Sequence, residues 1–382
     1  MGLKPGYKQT EVGVIPEDWE VKSLGDFLAL RRGHDLTESD RRSGNVPVLG
    51  SGGPNGFHDI ALVKGPGLVL GRSGASFGQA QYCDQDFWPH NTVLYVTDFY
   101  GHDRAFAFYL LKSINFTRYN SGGAQQSLNR NFIAPILVLI PPLYEQQAIA
   151  EALGDTDALI ESLEQLIARK RAVKQGAMQK LLTGKRRLPG FGGEWLTERF
   201  GNIAALRKER ANLDRKFIQE LCIELENVDS GTGLLVGSLT TENQLSQKLV
   251  FQAGDVLFGK LRAYLRKYWL ADRSGVCSTE FWVFVPVEDA ILSSYLLQLI
   301  QMEAFIEAAS ISYGTHMPRS DWNVVRNHSI TLPCSMAEQS AIAAILTDMD
   351  DEIAALESKL AKARRIREGM MAELLTGRTR LV

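Results

Sequence analysis

The sequence predicts an α+β fold: two globular domains separated by two long helices that form an antiparallel coiled coil, the whole produced by internal duplication. Three observations carry this expectation. The stretch LLTGKRRL at residues 181–188 returns as LLTGRTRL at 374–381. The preceding segment EQQAIAEALGDTDALIESLEQLIARKRAVKQGAMQK, from Glu145, aligns without a gap to EQSAIAAILTDMDDEIAALESKLAKARRIREGMMAE, from Glu338. Ahead of each copy lies a short apolar strand running into proline, ILVLIPPL and HSITLPC. A long period of this kind points to repeated structural units rather than one continuous domain.

The chain therefore divides into a first globular domain (1–143), a first long helix (144–184), a second globular domain (185–335) and a second long helix (336–382). A fainter echo marks the start of each half, where Trp19, Leu24 and Gly25 line up with Trp195, Phe200 and Gly201 behind turn-like leads. In the first helix Ile149, Leu153, Ile160, Leu163, Ile167 and Leu181 share one register, diluted by Thr156, Lys170 and Lys174. In the second, Ile342, Leu346, Met349, Ile353, Leu356, Leu360 and Leu374 follow steps of four and three, with Arg367 as a break. Such spacing defines a coiled-coil seam. Gly184 and Gly377 supply helix stops, and Pro189 prevents continuation of the first.

Charge indicates how the helices pair. Each helix is acidic in its leading half (Glu145, Asp157, Glu164; Glu338, Asp350, Glu357) and mostly basic in its trailing half (Lys170, Arg171, Lys174; Lys362, Arg364, Arg367). A parallel pair would oppose like charges, whereas an antiparallel pair sets acid against base. Independent helices with solvated charges are the plainer alternative. One such helix would be about 58 Å long at about 1.5 Å per residue.

Composition narrows the class. Forty-five per cent hydrophobic and 23% charged residues is globular composition, and 382 residues suffice for two cores. No apolar run suits a membrane span or a signal peptide, and four scattered cysteines form no CxxC pair. A reducing cytoplasm with no membrane partner is the expected setting. The net charge of −2 argues mildly against nucleic acid as a partner.

Catalytic signatures are missing. VLGSGGPNGFHD (48–59) and GRSGASFG (71–78) are glycine-rich but carry neither the GK[ST] ending nor the GxGxxG spacing of phosphate-cradling loops. IPPLY (140–144) has an isoleucine where an amino-methyltransferase needs a polar residue, and PEDWEVK (16–22) is too tightly spaced for a nuclease metal site. The six histidines form no HExxH or local ligand cluster. A catalytic triad of residues distant in sequence stays open at this level.

The arrangement resembles the specificity subunit of type I restriction-modification enzymes along essentially the whole chain. The resemblance rests on the strand running into P-x-x-x-E-Q-x-A-I-A from Pro141, on its copy behind Pro333 at one residue longer spacing, and on helices ending in LLTG. Within the domains, GLVLGRSGASFGQAQYCDQDFWPHNTVLYV and SGGAQQSLNR in the first, and AGDVLFGKLRAYLRKYWLADRSGVCSTEFWVF and ISYGTHMPRSDW in the second, resemble paired target-recognition patterns. The resemblance implies a non-catalytic subunit with no cofactor of its own that reads a bipartite, asymmetric site in double-stranded DNA. It also implies two modification (methyltransferase) subunits using S-adenosylmethionine, and restriction subunits using ATP and Mg. The alternative is a single-chain DNA-modifying enzyme with a concealed active site, and a further one is a purely structural coiled-coil adaptor.

Arginine and lysine suit guanine edges, and asparagine and glutamine suit adenine. On that chemistry the DNA-binding candidates are Arg72, Ser73, Gln79, His90, Asn91, Gln125, Gln126 and Asn129 in the first domain. In the second they are Lys260, Arg262, Tyr264, Lys267, Thr279, Glu280, Thr315, His316 and Arg319. Lys260, Arg262, Arg266 and Lys267, interleaved with Tyr264, Tyr268 and Trp269, form the densest basic cluster. Phe87, Trp88, Phe281 and Trp282 read as core. No metal ligands are expected.

Overall fold

A computed structural model describes residues 5–122, 126–211, 221–237, 247–311 and 319–381. The chain separates into two compact units, residues 1–164 with 359–382, and residues 165–358. Each unit is thus built from one globular region plus parts of both long helices.

The two units repeat one sheet. In the first, strands β1 (Ala29–Arg32), β2 (Gly67–Gly71), β3 (Ala80–Cys83) and β4 (Val93–Asp98) are ordered β1-β4-β2-β3. In the second, β5 (Ala204–Leu206), β6 (Val256–Gly259), β7 (Tyr268–Leu270) and β8 (Phe281–Pro286) are ordered β5-β8-β6-β7. All their pairings are antiparallel. The central strands are apolar runs, GLVLG and VLFG, buried at every position. Helices Arg104–Ser113 and Ser293–Leu299 bury their apolar residues in the same cores. Phe87, Phe281 and Trp282 are core residues, while Trp88 is half-buried.

The proline-terminated segments are strands, as expected. Leu137–Ile140 pairs with Glu20–Ser23, and Ser329–Pro333 pairs with Trp195–Arg199. Each leads directly into a 39-residue helix, α1 (Leu143–Leu181) or α2 (Met336–Leu374). Among the described residues no helix is long and apolar enough to cross a membrane.

The helices pair antiparallel within each unit, following the charge polarity. In the first unit Glu164 of α1 meets Arg364 of α2 at 2.6 Å, and Asp157 meets Arg367. In the second, Lys170 meets Glu352 at 2.6 Å, Arg171 meets Glu357 at 2.5 Å, and Lys174 meets Asp350 at 2.5 Å. The seam residues Ile149, Leu153, Ile167, Leu181, Ile342, Leu346, Ile353 and Leu374 are buried. Ile160, Leu163, Met349, Leu356 and Leu360 are half-buried. Lys174 and Arg367 do not break the seam. Each points a long cation at an aspartate of the facing helix, and Lys174 Nζ also donates to Gln301 Oε1 at 2.8 Å.

The repeated ends have a common mechanism. Leu181 and Leu182 enter the core of the second unit, and Leu374 and Leu375 that of the first. Thr183 and Thr376 donate back to the carbonyls of Gln179 and Ala372, four residues earlier. Gly184 (φ +68°) and Gly377 (φ +69°) then turn left-handed, a conformation that any side chain would strain. Three residues further, Arg187 binds Glu338 at 2.6 and 2.7 Å, and Arg380 binds Glu145 at 2.7 and 3.1 Å. Each LLTG end therefore closes on the start of the other helix, where the acceptor glutamate is fully buried.

The neighbouring glutamines complete the joint. Gln146 accepts from the backbone N–H of Asp103 and donates to the Pro141 carbonyl. Gln339 accepts from Leu292 N–H and donates to the carbonyls of Ala290 and Pro333. The Glu-Gln pair is thus the clamp between helix and globular region in both units.

Candidate nucleic-acid interface

In each unit the loop joining the two strands at one side of the sheet is built by the same hydrogen bonds. In the first, Gly71 N–H donates to Gln79 O, Phe77 N–H to Gly74 O and Arg72 N–H to Thr92 O, at 2.8–3.1 Å. In the second, Gly259 N–H donates to Lys267 O, Leu265 N–H to Arg262 O and Lys260 N–H to Glu280 O, at 2.8–2.9 Å. A downstream segment pins each loop. Leu128 N–H reaches Arg72 O and Ser73 bridges Ser127, while Ser320 N–H reaches Lys260 O and Leu261 bridges Arg319. The described parts of the two motifs singled out in each half of the sequence are therefore brought together in space.

In the first unit Arg72 is half-buried, and burial together with the nearby Arg32 charge lowers its pKa. No carboxylate among the described residues is hydrogen-bonded to either guanidinium, so an anion would relieve this repulsion. Arg32 ends β1, exposed, and was not visible as a candidate in the sequence. Gln79 and Gln126 are exposed, and Ser73 is half-buried. His90 bonds Thr92 Oγ1 at 3.2 Å, and its pKa is lowered by burial and then by Arg41. Asn91 is engaged by Asp35. Asn129 caps the short helix Arg130–Ile133, its Oδ1 accepting from Asn131 N–H at 3.0 Å. Gln125 lies outside the described residues.

In the second unit the dense basic cluster divides by strand alternation and turn geometry. Tyr268 and Trp269 are core residues. Lys267 Nζ donates to the carbonyls of Leu225 and Val228 at 2.7 and 2.8 Å, capping a turn from inside the fold. It is not a solvent-facing cation as its sequence neighbours suggested. Arg266 pairs with Glu303 and donates to Gln301 O. Arg319 and Glu280 hold one another in a two-pronged pair at 2.7 and 3.0 Å, with Thr279 half-buried beside them. Arg262 and Tyr264 are exposed, Tyr264 at 57%, and Lys260 is half-buried. Burial lowers the Lys260 pKa, with Glu280 opposing and Arg319 and Arg210 adding repulsion. Thr315 and His316 lie outside the described residues.

Comparison with known proteins decides the family. The type I restriction modification DNA specificity domain matches residues 16–169 and 230–364, more than half of the chain.

This chain belongs to the type I restriction-modification specificity family.

Among curated relatives, the specificity subunit's sequence is 23% identical to the type I restriction enzyme MjaVIII specificity subunit of Methanocaldococcus jannaschii, covering 96% of this chain and 94% of that one. It is also 23% identical to the EcoDI specificity subunit of Escherichia coli, covering 78% and 73%. In fold, it is similar to the type I restriction-modification S subunit from M. genitalium, with a TM-score of 0.64, 16% identity and coverage of 98% and 99%.

Sequence reasoning missed two sets of residues in this specificity subunit. Arg32 has a counterpart in the exposed Lys208, which follows β5 as Arg32 ends β1; the offset that relates Trp19 to Trp195 carries one onto the other, and the sheet register agrees. Glu145 with Arg380, and Glu338 with Arg187, were present in both repeats. The signal available was the shared arginine three residues after each LLTG glycine.

Proposed function

We propose that this specificity subunit reads a bipartite, asymmetric site in double-stranded DNA, one half-site by each unit. In this reading it is a non-catalytic, cytoplasmic component. Two modification subunits carry S-adenosylmethionine and methylate an adenine in each half-site, and restriction subunits supply ATP- and Mg-dependent translocation and cleavage.

The observation that carries the reading is the loop built twice on one backbone plan with two different sequences, GRSGASFG and GKLRAYLR. One plan with different side chains suits two readers of unlike sequences. Residues 1–140 carry 13 bases and 13 acids, and residues 189–333 carry 14 bases and 17 acids. Phosphate attraction by this chain alone is therefore weak, and the partners complete the grip. Leu166 and Val173, seven residues apart on α1 and exposed at 39% and 59%, support the paired helices as a docking surface for them.

Genome-wide mapping of methylated adenines in cells with and without this chain tests the proposal. One bipartite motif should lose methylation when the chain is absent. An unchanged methylation pattern would refute it, and tight stoichiometric binding of S-adenosylmethionine by the isolated chain would overturn the non-catalytic assignment.

A further inference from the structure

The duplicated loop allows its cations to be sorted by what they touch. The phosphate backbone is chemically the same in both half-sites, whereas the bases differ. A cation that serves phosphate should recur at the same place in both units, and a cation that reads a base should not. Matched hydrogen bonds place Arg72 on Lys260, Gly74 on Arg262 and Gly78 on Arg266. The shared position holds Arg72 in one unit and Lys260 in the other.

Gly74 (φ +80°) and Gly78 (φ +72°) take the left-handed conformation that glycine adopts freely. The second unit keeps the same backbone with Arg262 (φ +55°) and Arg266 (φ +50°), at a cost glycine would not incur. Arg266 has a use within the fold, through Glu303 and the Gln301 carbonyl. The Arg262 side chain is exposed, and its guanidinium has no hydrogen bond or ion pair among the described residues. At Gly74 a Cβ would meet only Ser51 Oγ at 3.9 Å, so the first unit leaves this place open where a side chain would fit. An arginine held in a strained conformation with no polar partner for its guanidinium among the described residues points to a value that lies outside the chain.

We infer that Arg262 is a specificity-determining residue that reads a guanine edge in the half-site of the second unit, and that Arg72 and Lys260 are the shared phosphate contacts. The inference rests on the proposed DNA-reading function. Guanine offers N7 and O6 to a guanidinium fork, a two-bond match that a phosphate-only role does not need.

The test uses the assembled complex with its modification partners. Arg262→Gly removes the side chain while keeping the backbone that Gly74 already shows to be acceptable, so its melting temperature should be unchanged or higher. Methylation mapping should show one base position, in one half-site only, losing discrimination by roughly 5- to 150-fold. Lys260→Ala should instead weaken binding to all sequences alike and lower the salt dependence by about one phosphate contact. Uniform weakening by Arg262→Gly, or an unchanged recognition motif, would overturn the assignment of Arg262. A wild-type complex with no sequence preference would instead sink the DNA-reading function, and the inference with it.

Discussion

Arg380→Ala should open the first unit at its joint. Arg380 makes four hydrogen bonds, two to Glu145 at 2.7 and 3.1 Å and two to Asp18 at 2.7 and 2.8 Å. Glu145 is fully buried, and without the guanidinium its carboxylate keeps, among the described residues, only the Trp19 Nε1–H donor at 2.9 Å. Removing one partner of a buried ion pair costs about 3–5 kcal/mol, because the remaining charge stays desolvated. The Asp18 arm is 43% exposed and adds at most about 1 kcal/mol. For a unit of this size each kcal/mol is worth about 2–4 °C, so the transition of the first unit should fall by about 6–24 °C. Calorimetry measures the shift, and hydrogen exchange should localise the loss to residues 5–164 and 359–381. Glu145→Gln combined with Arg380→Ala should recover a large part of it, since a neutral amide needs no counter-charge. A single-variant shift below about 2 °C, or a double variant no more stable than the single, would refute the buried-charge account.

Three other outcomes follow from the same geometry. Gly377→Ala combines a left-handed backbone with a Cβ placed 2.5 Å from Pro16 Cδ, so urea unfolding should show a loss above the about 1–2 kcal/mol of the backbone alone; a neutral substitution would show that the turn relaxes freely. Arg364→Glu sets like charge against Glu164 in the helix pair. Both groups are exposed, so the cost should be at most about 1 kcal/mol, recovered by adding Glu164→Arg and erased in 1 M salt; a salt-independent loss would contradict surface pairing. The Asp18 pKa is lowered chiefly by its hydrogen bonds from Arg380. A depressed carboxylate pKa contributes stability above its unfolded value, about 3.9, and that contribution disappears as pH falls through the folded value. Titrating unfolding below about pH 4 in wild type and Arg380→Ala should therefore show a slope from Asp18 only in the wild type, and equal slopes would exclude the pair as its source.

The helices, their antiparallel pairing and the division into repeated halves were legible in the sequence because each depends on periodic or local signals. Steps of four and three mark an apolar seam whatever packs against it, and acid-before-base polarity in both copies selects orientation. LLTG marks a helix end because a left-handed residue there favours glycine. The roles of Lys174 and Arg367 were not legible, since a cation on an apolar seam reads as an interruption until the facing aspartate is known.

The recognition loops show the same division. Residue types alone nominated Arg262 and Lys267 equally, five residues apart in one basic run. Tertiary structure turned Lys267 onto two carbonyls and left Arg262 exposed, because a left-handed turn redirects the chain between them. It also brought Ser73 to Ser127 and Leu261 to Arg319 across long loops. Sequence by itself determined what recurs along the chain, since periodicity and propensity are properties of neighbours. Only the tertiary structure decided which charges are satisfied inside the fold and which stay free for a partner, because that depends on groups far apart in the chain meeting at hydrogen-bond distance.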